Sequence, residues 1–109
     1  MQKLSDLDKH IVATILGAGN RASGYDIRAI LKEKAGRDVS VGALYTTLER
    51  LKSKGFLEYE VADGGEDRGG RPQRFFSVNA LGQSALDAAF AADQAIYGFA
   101  RLLPNGVFA

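Results

Sequence analysis

The chain has 109 residues, 46% apolar and 25% charged, with a formal net charge of +1, which is one globular domain and too balanced overall to mark a polyanion-binding protein by charge alone. It contains no cysteine, which excludes disulfides, thiolate metal sites and a cysteine nucleophile and fits a reducing compartment. No apolar run reaches the roughly 18 residues of a membrane span, and the opening MQKLSDLDKH is no signal peptide, so a cytoplasmic location is expected.

The distribution of charge is more informative than its sum. From Glu58 to Asp67 there are five acids (Glu58, Glu60, Asp63, Glu66 and Asp67) and no base, whereas Arg68 to Arg74 holds three arginines and no acid. Local fields decide where an anion docks.

The first helix is expected after Ser5, with Asp8 completing an imperfect capping box. Leu7, Ile11, Ile15 and Leu16 recur at helical spacing, and GAGN ends the run. Ser23 caps a second helix, to which Tyr25, Ile27, Ile30 and Leu31 give a buried side. Lys32, Lys34 and Arg37 cluster near its end, where cations suit the helix dipole.

Ser40 caps a third helix. Val41, Leu44, Tyr45, Leu48 and Leu51 form its apolar stripe, and Gly55 closes it. The other face carries Gly42, Ala43, Thr46, Thr47, Arg50 and Lys54, small or hydroxylated at the start and basic later. Tyr45 lies beside the stripe, with a hydroxyl that could reach a phosphate.

FLEYEV, from Phe56, alternates as a half-buried strand, and RFFSV, from Arg74, is its partner. Between them GGEDRGGRPQR forms a long hairpin tip rich in glycine and arginine, with Pro72 limiting the pairing of the returning strand.

Asn79 caps a last helix from Ala80 to about Arg101, roughly 33 Å long at 1.5 Å per residue. One stripe holds Leu81, Ala85, Ala88, Ala92, Ile96, Phe99 and Leu103, and is expected to pack on the domain. A second, nearly opposite, holds Leu86, Phe90 and Tyr97. That second stripe needs a cover; a helix from another copy is the economical one, and burial against the first helix of the same chain is the alternative.

The expected class is therefore α+β, mainly α: a winged helix-turn-helix of three helices and a two-stranded wing over residues 1–78, with a dimerisation helix and tail over 79–109. In that layout the third helix enters the major groove by its N-terminal residues, and wing arginines neutralise phosphates or enter a narrow minor groove.

SGYDI, VSVGALYTTLERLKSKGFLE and RGGRPQRFFSVNALGQSAL resemble the PadR-like transcriptional regulators. The matching residues are Gly24-Tyr25, Gly42-Ala43-Leu44-Tyr45, Leu48, Leu51, Gly55, Arg71-Pro72 and Phe75-Phe76. Val41 stands where that family often has proline, and Asn79-Ala80-Leu81-Gly82 replaces a commoner threonine–acid–alanine–glycine. The single C-terminal helix resembles the smaller subfamily. The resemblance implies a homodimeric repressor of a palindromic operator in double-stranded DNA, often released by a small molecule. It implies DNA contact by Ser40, Ala43, Tyr45, Thr46, Thr47 and Arg50 from the third helix and by Arg68, Arg71 and Arg74 from the wing. Leu86, Phe90 and Tyr97 are the expected dimer contacts, and Phe90, Tyr97 and Phe99 could line a cavity for a small aromatic effector.

His10 is the only histidine and lacks a second metal ligand. Nothing resembles a nucleophile elbow, a paired-carboxylate site or a phosphate-binding loop, so neither an enzyme nor a cofactor is expected. The competing readings are a winged helix used for protein interaction and a small-molecule-binding dimer without DNA. RNA binding is weaker, since no stacking platform of exposed aromatics is seen.

Overall fold

The computed structural model describes residues 3–62 and 72–101. The elements run α1 (Asp6–Gly17), β1 (Ala22–Ser23), α2 (Gly24–Ala35), α3 (Val41–Ser53), β2 (Leu57–Ala62), β3 (Gln73–Val78) and α4 (Ala80–Arg101).

Three serines start three helices. The side chains of Ser5, Ser23 and Ser40 accept backbone N–H groups from Asp8, Asp26 and Ala43, satisfying donors that the first helical turn leaves unpaired. At Ser5 and Ser23 the aspartate three residues on returns the bond, so both capping boxes are complete. Gly55, at φ +86°, ends α3 in the left-handed region that glycine occupies without strain.

The sheet has three antiparallel strands, in the order β1-β3-β2, where the sequence suggested two. Ala22 pairs with Phe76 and Ser23 with Phe75. The Asn20 side chain prolongs this edge, donating to the Val78 carbonyl at 3.0 Å and accepting from its N–H at 2.7 Å. An amide side chain thus serves as one more rung of the ladder. On the other side β2 pairs with β3 from Leu57↔Val78 to Ala62↔Gln73.

The core lies between the three helices and one face of this sheet. Ile11 and Ile15 of α1, Ile27 of α2, Leu44, Leu48 and Leu51 of α3, and Phe76 of β3 are fully buried. Two residues expected in it are outside. Tyr25 is 72% exposed and Val41 53% exposed; both sit in the first turn of their helices.

Asn79 starts α4, its side-chain Oδ1 accepting the Gly82 N–H at 2.9 Å while its side-chain Nδ2 donates to the Gly55 carbonyl at 2.7 Å. The same side chain therefore caps one helix and ties down the end of another. α4 packs against α1 and β3, and its docked face takes Ala85 from the expected stripe and Leu86 from the other. Gly82 is buried, and Ala85 and Leu86 pack on the core. Leu81, Ile96 and Phe99, expected inward, are exposed, and Leu103 lies outside the described residues. The cause is Gly82: its missing side chain lets the helix rest on the Phe56 carbonyl and the Val78 methyl, which rotates Leu86 toward the domain. Farther along, the Lys9 ammonium meets the Asp93 carboxylate at 2.8 Å. The Asp93 and Asp6 carboxylates hold Lys9 above the usual lysine range.

Candidate nucleic-acid interface

The N-terminal half of α3 presents a low-relief surface. Ser40, Gly42, Ala43 and Thr46 are exposed. Small side chains allow another macromolecule's backbone to come close, and the Thr46 hydroxyl can donate or accept. The Ser40 hydroxyl is already engaged, accepting the Ala43 N–H at 3.1 Å.

Thr47 does not share that surface. It is 5% exposed, and its hydroxyl donates to the Ala43 carbonyl one turn back at 2.9 Å. The sequence grouped it with Thr46, but a step of about 100° along the helix carries it to the inner face.

Tyr45 links α3 to both its neighbours. Its ring meets Phe76 edge-on at 6.5 Å between centroids. Its hydroxyl lies over Gly24, where a Cβ would overlap it and would stand 2.8 Å from Cζ. Gly24 is thus the position at which α2 admits the tyrosine, and the phenol rests beside the start of α2.

Arg50, expected to point outward, is turned across α3 to α1. Its guanidinium donates to both carboxylate oxygens of Asp8, at 2.7 and 3.4 Å. The Asp8 side chain is 1% exposed and that of Arg50 44%. Asp8 also accepts the Ser5 N–H at 2.9 Å, so this buried carboxylate is satisfied on all sides.

The loop-ward end of the wing strands stands beside α3. Arg74, the second residue of β3, donates to Glu49 of α3 at 2.9 Å and lies over the Tyr59 ring at 4.9 Å from its centroid. Lys52 approaches the same ring at 5.2 Å. Glu49, Tyr59 and Lys52 were not singled out from the sequence. The period-two pattern of β2 puts Tyr59 on the α3 side, but the partner of Arg74 depends on how α3 docks. Arg68 and Arg71 lie outside the described residues. Of the expected dimer contacts, Phe90 and Tyr97 are exposed on α4, whereas Leu86 is half-buried against the domain's own core.

Among the described residues no group of three His, Asp or Glu could hold a metal ion, and no helix is long and apolar enough to cross a membrane.

The chain matches the family model described as the transcriptional regulator PadR-like family over residues 13–88. No protein of curated function matches it. Among solved structures, it resembles a PadR family transcription regulator from Clostridium difficile R20291, with 19% identity, 87% of this chain and 94% of that chain covered, and a TM-score of 0.74. A PadR-like transcription factor from Bacteroides fragilis aligns at 28% identity, over 83% and 84% of the two chains, with a TM-score of 0.68. Bacillus subtilis PadR in complex with operator DNA aligns at 22% identity, over 78% of this chain and 46% of that one, with a TM-score of 0.67. With a matched segment that runs from the middle of α1 to the first turns of α4, the chain belongs to the PadR-like family of transcriptional regulators.

Proposed function

We propose that this regulator binds double-stranded DNA as a homodimer and acts in the cytoplasm as a repressor of a palindromic operator. Residues 1–78 form the DNA-binding unit, and residues 79–109 supply the dimerisation helix and tail. Family members regulate transcription and are not enzymes.

One observation carries the reading: the exposed Gly42–Ala43–Thr46 surface of α3 stands beside a wing strand that bears Arg74. Ser40, Ala43, Tyr45 and Thr46 approach the major groove, while Arg74, with Arg68 and Arg71 nearer the tip, meets the backbone. Arg50 and Thr47 hold α3 in place rather than touch DNA. A dimer built on α4 puts two α3 helices about 34 Å apart, or a multiple of it, matching successive major grooves.

The apolar surface of α4 supports the dimer. Phe90 and Tyr97 on one side of the helix, and Ile96 and Phe99 on another, are 59–69% exposed, apolar surface that water disfavours. Beside it a groove of about 630 Å³ runs between α1 and α4, lined by Leu4, Phe56, Leu81 and Ala88 among others. It supports release by a small, apolar or aromatic effector.

The test is an electrophoretic shift with genomic fragments at two salt concentrations. A shift that weakens steeply with salt is expected. No salt-sensitive shift with any fragment would favour a protein-interaction module, the reading to which the net charge of +1 lends most support. Titrating planar aromatic compounds while following tyrosine fluorescence tests the effector.

A further inference from the structure

We infer that Glu49 is a specificity-determining residue that withholds Arg74 from DNA of the wrong shape or sequence. The inference rests on the DNA-binding reading above and concerns how that surface discriminates.

Glu49 lies three residues after Thr46, and so next to it on the exposed face of α3. A carboxylate there faces the same partner as Thr46 and repels phosphate. It is also the ion-pair partner of Arg74, at 2.9 Å, with the two side chains 52% and 45% exposed. The Tyr59 ring beneath the guanidinium supports its plane independently of the acid. Without DNA, then, the charge of Arg74 is masked but its orientation is fixed.

An exposed ion pair is weak and easily exchanged. A phosphate brought to the same guanidinium offers two oxygens to its fork and displaces the carboxylate. On a poorly fitting duplex no phosphate arrives in register, Glu49 keeps the arginine, and its own charge opposes the approach. The acid thus subtracts more from arbitrary DNA than from a fitting site.

The experiment compares wild type, Glu49→Gln, Arg74→Ala and Glu49→Gln/Arg74→Ala. Each is titrated with a random-sequence duplex and with the tightest-bound genomic fragment, between about 50 and 200 mM salt. Glu49→Gln should bind the random duplex about two- to fivefold more tightly, the range set by the strength of an exposed ion pair. Its salt slope on that duplex should steepen by about one. The ratio of fragment to random affinity should fall, and the gain from Glu49→Gln should shrink when the change is made in Arg74→Ala, leaving only the relief of phosphate repulsion. Unchanged urea midpoints for the Glu49 variants confirm that folding is not the cause. If Glu49→Gln binds random duplex no better than wild type, Glu49 does not mask Arg74. A wild type that shifts no duplex fails earlier, removing the DNA-binding reading itself and this inference with it.

Discussion

Asp8 and Arg50 meet at 2.7 Å across the face between α1 and α3, the carboxylate buried and the guanidinium half-exposed. The same carboxylate closes the capping box of α1. At the next residue, Lys9 reaches Asp93 of α4. The first turn of α1 therefore grips the proposed recognition helix with one side chain and the long C-terminal helix with another.

That arrangement separates Arg50 from the other arginines. Arg50→Ala would leave Asp8 buried with only the Ser5 N–H as partner, and should cost about 3 kcal/mol in urea unfolding. Asp8→Asn should cost less, because the amide removes the charge and Arg50 can turn to water. Arg74→Ala should change stability by less than about 1 kcal/mol, its ion pair with Glu49 being exposed, while weakening binding to a fitting site more than to random duplex.

Adjacent threonines should behave oppositely. Thr46→Ala is expected to leave the unfolding midpoint within about 0.5 kcal/mol of wild type but reduce discrimination between operator and random duplex by about 1–3 kcal/mol if the hydroxyl reads a base. Thr47→Val keeps the buried shape and loses only a back-bond to Ala43, so DNA discrimination should survive intact. Paired binding isotherms and urea curves for the two variants decide which face of α3 meets DNA.

A methyl at Gly82 or Gly24 should have different consequences. At Gly82 it would meet the Phe56 carbonyl and stand 2.9 Å from the Val78 Cγ1 atom; backbone cannot yield easily, so α4 must lift, at about 1–3 kcal/mol. At Gly24 it would meet only the outer end of the Tyr45 ring, which can swing away. Gly24→Ala should unfold nearly as wild type, and loss of DNA affinity in that variant would show that the position of Tyr45 matters to the complex.

Most of the frame could be read from local signals, because local chemistry sets it. Ser5, Ser23 and Ser40 cap as their positions suggested, Gly55 ends α3, and Leu44, Leu48 and Leu51 are buried at helical spacing. What escaped was set by tertiary contacts. β1 is two residues long, too short for a period, and depends on Asn20 pairing with Val78, 58 residues away. Arg50 looked like a surface cation until Asp8, 42 residues earlier, proved to be its buried partner. The two stripes of α4 could not be assigned by periodicity, since both are apolar; the contact at Gly82 chose Ala85 and Leu86 for the domain.

The same contact makes the dimer testable by a contrast. Phe90 is 59% exposed, so Phe90→Asp removes little from the folded protomer. In a dimer built on α4 it would bury a carboxylate between apolar surfaces, an unfavourable exchange without a partner charge. Sedimentation should show a folded monomer, with circular dichroism unchanged. Operator affinity should fall toward that of one half-site, because the second contact is no longer linked to the first. Leu86→Asp should instead strike the fold, since Leu86 packs on the domain's own core, and its urea midpoint should drop. If Phe90→Asp stays dimeric, the exposed side of α4 is not the interface; if it becomes monomeric yet holds the full operator as tightly as wild type, pairing of protomers is not what gives this regulator its grip.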